Sequence, residues 1–237
     1  MAVDEALART LPPGEGVLRL YSWERPTISF GRNEPARGRY SEERGVGLGY
    51  DFVRRPTGGR AVLHDQELTY AVVVPARAFG GVRAAYRRIN QALAAALRSL
   101  GAGVGLAEGE APLPLDSGPC FQSPAPGEIV ADGRKLVGSA QAKIGKALLQ
   151  HGSLLLDGDQ SGLSSVSLVG EDPGDPITLS EMAPTAREDD VAEAVVRAMR
   201  GEFEGVWSDG RPVEAADAVA RELIATRYDL DIWTWRL

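Results

Sequence analysis

Apolar residues recur with helical spacing in one long stretch. Val82, Tyr86, Ile89, Leu93, Leu97 and Leu100 follow one another at steps of 4, 3, 4, 4 and 3. Those steps place them on one face, so the pattern predicts a helix over residues 81–100, with Gly101 as its C-terminal stop. The same periodicity predicts helices over 189–204 and 213–228, and a short one over 2–11 that Pro12 and Pro13 end. That first helix opens at once, so no strand is expected ahead of it. Short runs rich in β-branched and aromatic residues predict strands at Val17–Tyr21, Thr27–Gly31, Tyr50–Arg54, Ala61–Leu63, Leu68–Val74, Glu128–Ala131, Lys135–Ala140 and Leu148–Leu156. Asp132-Gly133 between two of these runs is the signal for a tight hairpin. Short helices are expected near Tyr40–Arg44 and Leu179–Met182, with loops over 107–119 and most of 157–187.

The strands come as hairpins and the helices cluster rather than alternating with them. This predicts an α+β fold with a mainly antiparallel sheet and packed helices, not a doubly wound parallel sheet. One domain is expected over residues 1–237, with a helical C-terminal end from about 189 to 237.

Composition then narrows the function. With 43% hydrophobic and 25% charged residues the chain is of globular type, and no apolar run reaches the length of a membrane span. No signal-peptide pattern opens the chain, so a cytoplasmic protein is expected, with no membrane partner. One cysteine, Cys120, and two histidines, His64 and His151, exclude a disulfide framework and a cysteine- or histidine-rich metal site. A net charge of −7 argues against a nucleic-acid binder. The basic residues are mostly arginine. The three lysines, Lys135, Lys143 and Lys146, each raise the question of what an ammonium does there that a guanidinium cannot.

Four segments could carry chemistry. In Arg54-Arg55-Pro56-Thr57-Gly58-Gly59-Arg60-Ala61-Val62-Leu63-His64-Asp65 a Gly-Gly pair lets backbone N–H groups approach an anion or a carbonyl, with arginines on both sides. The plainer reading is a hairpin turn with solvated arginines. Cys120 lies in a Pro/Gly loop, where it is either a small hydrophobe or a nucleophile. Lys135 opens the strand after the Asp-Gly turn. Alternation would place it on one face with Val137 and Ser139, with Leu136 and Gly138 on the other. His151 sits inside an apolar strand, in Gln150-His151-Gly152-Ser153.

Taken together, residues 54–65 followed by Glu67-Leu68-Thr69-Tyr70, the block Asp132–Gln141 and the block Leu149–Ser153 resemble the biotin/lipoate protein ligase catalytic-domain superfamily in its lipoate branch. Ala2-Val3-Asp4-Glu5-Ala6-Leu7 is similar to that branch's first helix. Arg227-Tyr228 and Trp233-Thr234-Trp235-Arg236 are similar to its usual ending. Cys120-Phe121, followed by Pro124 and Glu128-Ile129, resembles the cysteine-dependent octanoyltransferases. The family normally carries a strand ahead of its first helix, and this sequence departs from it there.

The resemblance implies a class II aminoacyl-tRNA synthetase/biotin synthetase-like fold. It implies transfer of octanoyl from acyl carrier protein to a lysine of a lipoyl domain or of the glycine-cleavage H protein, by a monomer that needs no cofactor. Cys120 and Lys135 would be catalytic. Arg55, Thr57, Gly58, Gly59, His64, Gly138, Ser139, Ala140 and His151 would bind substrate. His64 would be a proton shuttle or a wall of the pocket, and Val72 and Val137 would help wall a slot for the octanoyl tail. An ATP- and magnesium-dependent lipoate ligase is the alternative, and a non-catalytic relative the third.

Overall fold

The computed structural model describes residues 1–108, 121, 124–210 and 214–237. Among the described residues nine strands form two sheets. The first helix, α1 (Ala2–Thr10), is followed by β1 (Val17–Tyr21) and β2 (Thr27–Phe30), then α2 (Glu42–Gly47), β3 (Asp51–Arg54), β4 (Val62–His64) and β5 (Glu67–Pro75). Next come the long helix α3 (Val82–Ser99), β6 (Gly105–Leu106), β7 (Ile129–Ala131), β8 (Arg134–Ile144) and β9 (Ala147–Leu155). Five helices complete the chain: α4 (Gly162–Val166), α5 (Leu179–Met182), α6 (Glu188–Glu202), α7 (Glu214–Leu223) and α8 (Asp231–Thr234). A π-helical turn over Ile224–Tyr228 extends α7. Among the described residues no helix is long and apolar enough to cross a membrane.

The large sheet has the order β1-β5-β9-β8-β7-β6, with every neighbouring pair antiparallel. Its two faces read directly off the strand period of two. Leu68, Tyr70, Val72 and Val74 of β5 join Ile89, Leu93 and Leu97 of α3 and Val191, Val195 and Met199 of α6 in the main core. Ala71 and Val73, on the opposite face, pack with Ala6 and Leu7 of α1 and Ala216, Ala220 and Leu223 of α7. The α3 periodicity is thus a core face, with Leu93 and Leu97 fully buried. The β7–β8 hairpin turns where expected. Asp132 and Gly133 adopt φ of 50° and 75°, the left-handed pair that a tight hairpin requires.

The small sheet is where the structure departs from the hairpin reading. β1 and β2, neighbours in sequence, lie in different sheets. β2 pairs with β3 in parallel and with β4 in antiparallel fashion. A parallel pair needs a crossover, and α2 supplies it. Phe30, Tyr40, Leu163, Val166 and Trp235 cover one face of this sheet. Short β6, α4 and α8 lie outside the sequence expectation, since elements of two to five residues carry too few positions to show a period.

Candidate active site

The two sheets meet around a pocket open to solvent, whose empty space is about 350 Å³. Ser29, Arg55, Val62 and His64 line it from the small-sheet side. Gly138, Ser139, Ala140, His151, Gly152 and Ser153 line it from β8 and β9, and Thr69 from β5. Six of the expected residues therefore converge here: Arg55, His64, Gly138, Ser139, Ala140 and His151. Thr57 joins through His151, its hydroxyl 2.6 Å from the ring Nε2. Gly58 and Gly59 form the adjoining turn. Gly59 has φ +93°, and its carbonyl oxygen would lie 1.8 Å from any Cβ on Gly31. Both positions therefore need glycine to let the two strands close at the cavity edge.

His64 sits in a buried polar chain. Arg55 Nη1 donates to Ser29 Oγ at 2.9 Å, and Ser29 Oγ lies 2.7 Å from His64 Nε2. The Glu67 carboxylate can only accept, so Nδ1–H donates to its Oε1 at 2.8 Å. In the neutral imidazole Nε2 then accepts from the Ser29 hydroxyl. Thr69 and Ser153 hydroxyls donate to the same carboxylate. Trp23 stacks on the imidazole at 4.4 Å and donates to Thr69. Both ring nitrogens are thus engaged, and one face of the ring is covered.

His151 is likewise engaged on both sides, with Asp4 Oδ2 3.4 Å from Nδ1. Burial holds its pKa below 6.5 against the opposing pull of Asp4. The sign follows: below pH 6.5 the unfolded chain takes up a proton that the folded chain resists, so acidification destabilises the fold. Thermal melts between about pH 7.5 and pH 5 should show this loss, and His151→Gln should lose less over the same range.

Lys135 is 2% exposed, and its ammonium pairs with Glu128 Oε1 at 2.7 Å. The other carboxylate oxygen of Glu128 accepts the N–H of Ala125. The Phe121 ring centre lies 5.0 Å from Lys135 Nζ. The expected face of Lys135 is corrected by a β-bulge. Val130 pairs with Lys135 while Ile129 pairs with Val137, so Leu136 is an extra residue and the alternation reverses there. Lys135 consequently shares the face of Gly138, where a Cβ would lie 3.2 Å from its Cε. Ser139 lies on the other side of the bulge, its hydroxyl engaged by Tyr70 at 2.6 Å. Val72 and Val137 belong to the main core and are not among the residues lining this cavity.

Cys120 lies outside the described residues. Sequence reasoning missed Ser29, and it placed Glu67, Thr69, Ser153 and Glu128 in family blocks without giving them a role in the site. A buried Glu67 three residues after His64 carried a signal, because a carboxylate inside an apolar strand needs a partner. Ser29 carried none.

Residues 1–203 match the lipoyl protein ligase A/B catalytic domain. An octanoyltransferase LipM of Kyrpidia tusciae is 40% identical over all of this chain and 93% of its own. One from Brevibacillus brevis is 34% identical over all of this chain and 94% of its own. Among solved structures, a T. acidophilum lipoate protein ligase with bound lipoic acid superposes with a TM-score of 0.85 at 25% identity, covering all of this chain and 92% of that one. Lipoate-protein ligase A bound with ATP gives 0.84 at 25% identity, covering 99% and 92%. The architecture is accordingly the α+β fold of the lipoate protein ligases, with a mainly antiparallel sheet. On these matches the chain belongs to the lipoyl protein ligase A/B catalytic-domain family, as an acyltransferase of its octanoyltransferase group.

Proposed function

We propose that this enzyme moves octanoyl from acyl carrier protein, through a thioester on Cys120, to a lysine of a lipoyl domain or of the glycine-cleavage H protein. It does so as a cytoplasmic monomer and without ATP. The observation that carries the reading is Lys135. It is a buried ammonium at the start of β8, held by Glu128 and set against Phe121, the residue next to Cys120.

In the first step the Cys120 thiolate attacks the acyl carbon. The carrier's C–S bond breaks, and the departing carrier sulfur takes up the proton that Cys120 released on becoming a thiolate. In the second step the neutral amine of the acceptor lysine attacks the Cys120 thioester. The amide forms, Cys120 sulfur leaves, and the amine's surplus proton goes to solvent or to the thiolate. The thiolate is the reactive form and a nearby cation favours it, while an ammonium aimed at the carbonyl oxygen stabilises both tetrahedral intermediates. Arg55, Thr57 and the Gly58-Gly59 turn position the acyl group from the opposite wall.

Mixing the protein with octanoyl-acyl carrier protein should add one octanoyl mass at Cys120, with ATP omitted and a chelator present. Cys120→Ser should abolish the adduct and the transfer. An adduct at another residue overturns the Cys120 thioester. Strict dependence on ATP and magnesium assigns the protein instead to the ligase chemistry of its structural neighbours.

A further inference from the structure

Charge is segregated along this chain. Residues 68–107 hold Arg77, Arg83, Arg87, Arg88 and Arg98, and residues 133–156 hold Arg134 and all three lysines. All 33 acids lie outside those two stretches, in a chain of net charge −7. The fold brings part of the two stretches together. The N–H of Ala76 donates to Lys146 O at 2.8 Å, which sets Arg77 beside the β8–β9 turn. Gln141 and Lys143 of β8 lie opposite Gln150 and Leu148 of β9, on the side of the large sheet that packs against α3. Gln141 Nε2 donates to Val82 O at 3.3 Å, next to Arg83, and Arg87 stands one turn further along α3. Arg77, Arg83, Arg87, Lys143 and Lys146 are all exposed. Arg88 of the same helix is taken up by Glu202. Among the described residues no carboxylate pairs with any of the five exposed cations.

This basic face flanks the site. Ser139 lines the pocket, and its hydroxyl donates to Asn90 Oδ1 at 3.3 Å. Arg87 precedes Asn90 by about one helical turn and Arg83 by about two, or about 10 Å along the axis. Tyr86, between the two arginines, lies against Gly127, where a Cβ would be 3.3 Å from its ring. Asn90 donates to Gly127 O at 2.8 Å. The helix that carries the arginines therefore also braces the stretch of chain between Phe121 and β7.

We propose that the face formed by Arg77, Arg83, Arg87, Lys143 and Lys146 docks the acyl carrier protein through an acidic surface of that domain. The proposal rests on the octanoyl-transfer reading and deepens it. Exposed cations with no acids among them repel one another, whereas a partner of opposite sign turns the same field into steering that speeds association and fades with salt. Reach selects the donor over the acceptor. The acceptor's lysine extends only four methylenes from its own backbone, so the acceptor domain must press on the mouth of the pocket itself. The donor's acyl group rides on a phosphopantetheine arm several times longer, so its carrier can stand one or two helical turns away.

The direct test is binding of holo-acyl carrier protein, without an octanoyl group, to wild type and to the Arg83→Glu/Arg87→Glu variant at low and high salt. Wild-type affinity should fall as ionic strength rises, and the double charge reversal should weaken it by about 10-fold or more at low salt. A glutamate in the first turn of α3 suits the helix dipole, so the variant should melt near wild type. Arg83→Lys/Arg87→Lys should bind as wild type does, because the field needs charge rather than the guanidinium shape. Lys143→Arg and Lys146→Arg keep the docking for the same reason. In transfer assays the charge reversal should raise KM for octanoyl-acyl carrier protein, and the rise should be confined to that donor. Wild-type binding that is absent or indifferent to salt overturns the docking face, and so does an unchanged affinity in the reversal variant. A KM rise for the acceptor domain alone overturns it by giving the face to the acceptor. A rise for octanoyl-pantetheine as well overturns it by tracing the effect to the pocket. If the wild type transfers octanoyl from no donor, the octanoyl-transfer reading fails, while the binding titration still decides whether this face docks the carrier. If the reversal variant does not fold, Arg83→Gln/Arg87→Gln takes its place, and wild-type affinity in that variant overturns the proposal.

Discussion

Replacing Lys135 by arginine should leave the protein folded and cut octanoyl transfer by on the order of 100-fold or more, the scale of removing one electrostatic interaction from a transition state. The charge survives the exchange, so Glu128 keeps a cationic partner and the buried pair is not orphaned. What changes is shape. The ammonium sits 2.7 Å from Glu128, with the centre of the Phe121 ring 5.0 Å away. A planar guanidinium needs more room than an ammonium and presents its donors in a fixed fork, displaced from where the oxyanion forms. Lys135→Met tests the other half of the pairing. It leaves the Glu128 carboxylate buried without its counter-ion, and should destabilise the fold by about 3–5 kcal/mol. Lys143 and Lys146 are exposed at the β8–β9 hairpin, and their arginine variants should match wild type in rate and melting temperature. Equal rates for all three arginine variants would remove Lys135 from the chemistry.

Arg54→Ala should produce the largest loss of stability, about 3 kcal/mol or more, because it strands several buried carbonyls at once. Arg54 is fully buried in the small sheet, and its hydrogen bonds go to backbone carbonyls rather than to a carboxylate. Burial lowers its pKa to about 10, so it is still charged at neutral pH. Its charge is solvated by backbone. Nε donates to Thr234 O at 3.0 Å, Nη2 to Arg236 O at 2.7 Å, and Nη1 to Gly31 O and Glu34 O at 2.6 and 2.7 Å. Trp233 Nε1 returns a bond to Arg54 O at 2.9 Å. One side chain thus pins the last turn of the chain to the strands that carry Ser29 and Arg55. Chemical denaturation should show the drop. Limited proteolysis should show cleavage near residues 229–237 that wild type resists. A loss under about 1 kcal/mol, with the C-terminal segment still protected, would mean that the aromatic packing of Trp235 on Phe30 holds the segment by itself.

Local signals and long-range ones divided cleanly in this protein. The α3 face, the Asp132-Gly133 turn and the ends of most strands were legible, because period, capping and turn chemistry act between residues a few positions apart. The family blocks were legible for a related reason: each is a contiguous stretch whose residue types meet one local demand, such as the glycine turn at Gly58-Gly59. The sheet to which a strand belongs is a different matter. β1 and β2 look alike as sequences, and only the burial of Ile28 and Phe30 against Trp235, some two hundred residues on, sends β2 to the small sheet. The direction of Lys135 turned on one extra residue at Leu136, because a bulge depends on the register of β7 against β8, which alternation within β8 cannot reveal. Ser29 gave no sign of its place between Arg55 and His64, since a hydroxyl in a strand becomes a relay only when two other chain segments arrive beside it. Sequence by itself determined the elements and the chemical inventory of the site; tertiary structure alone decided which groups satisfy one another and which are left to bind something else, because satisfaction is set by three-dimensional proximity rather than by neighbours along the chain.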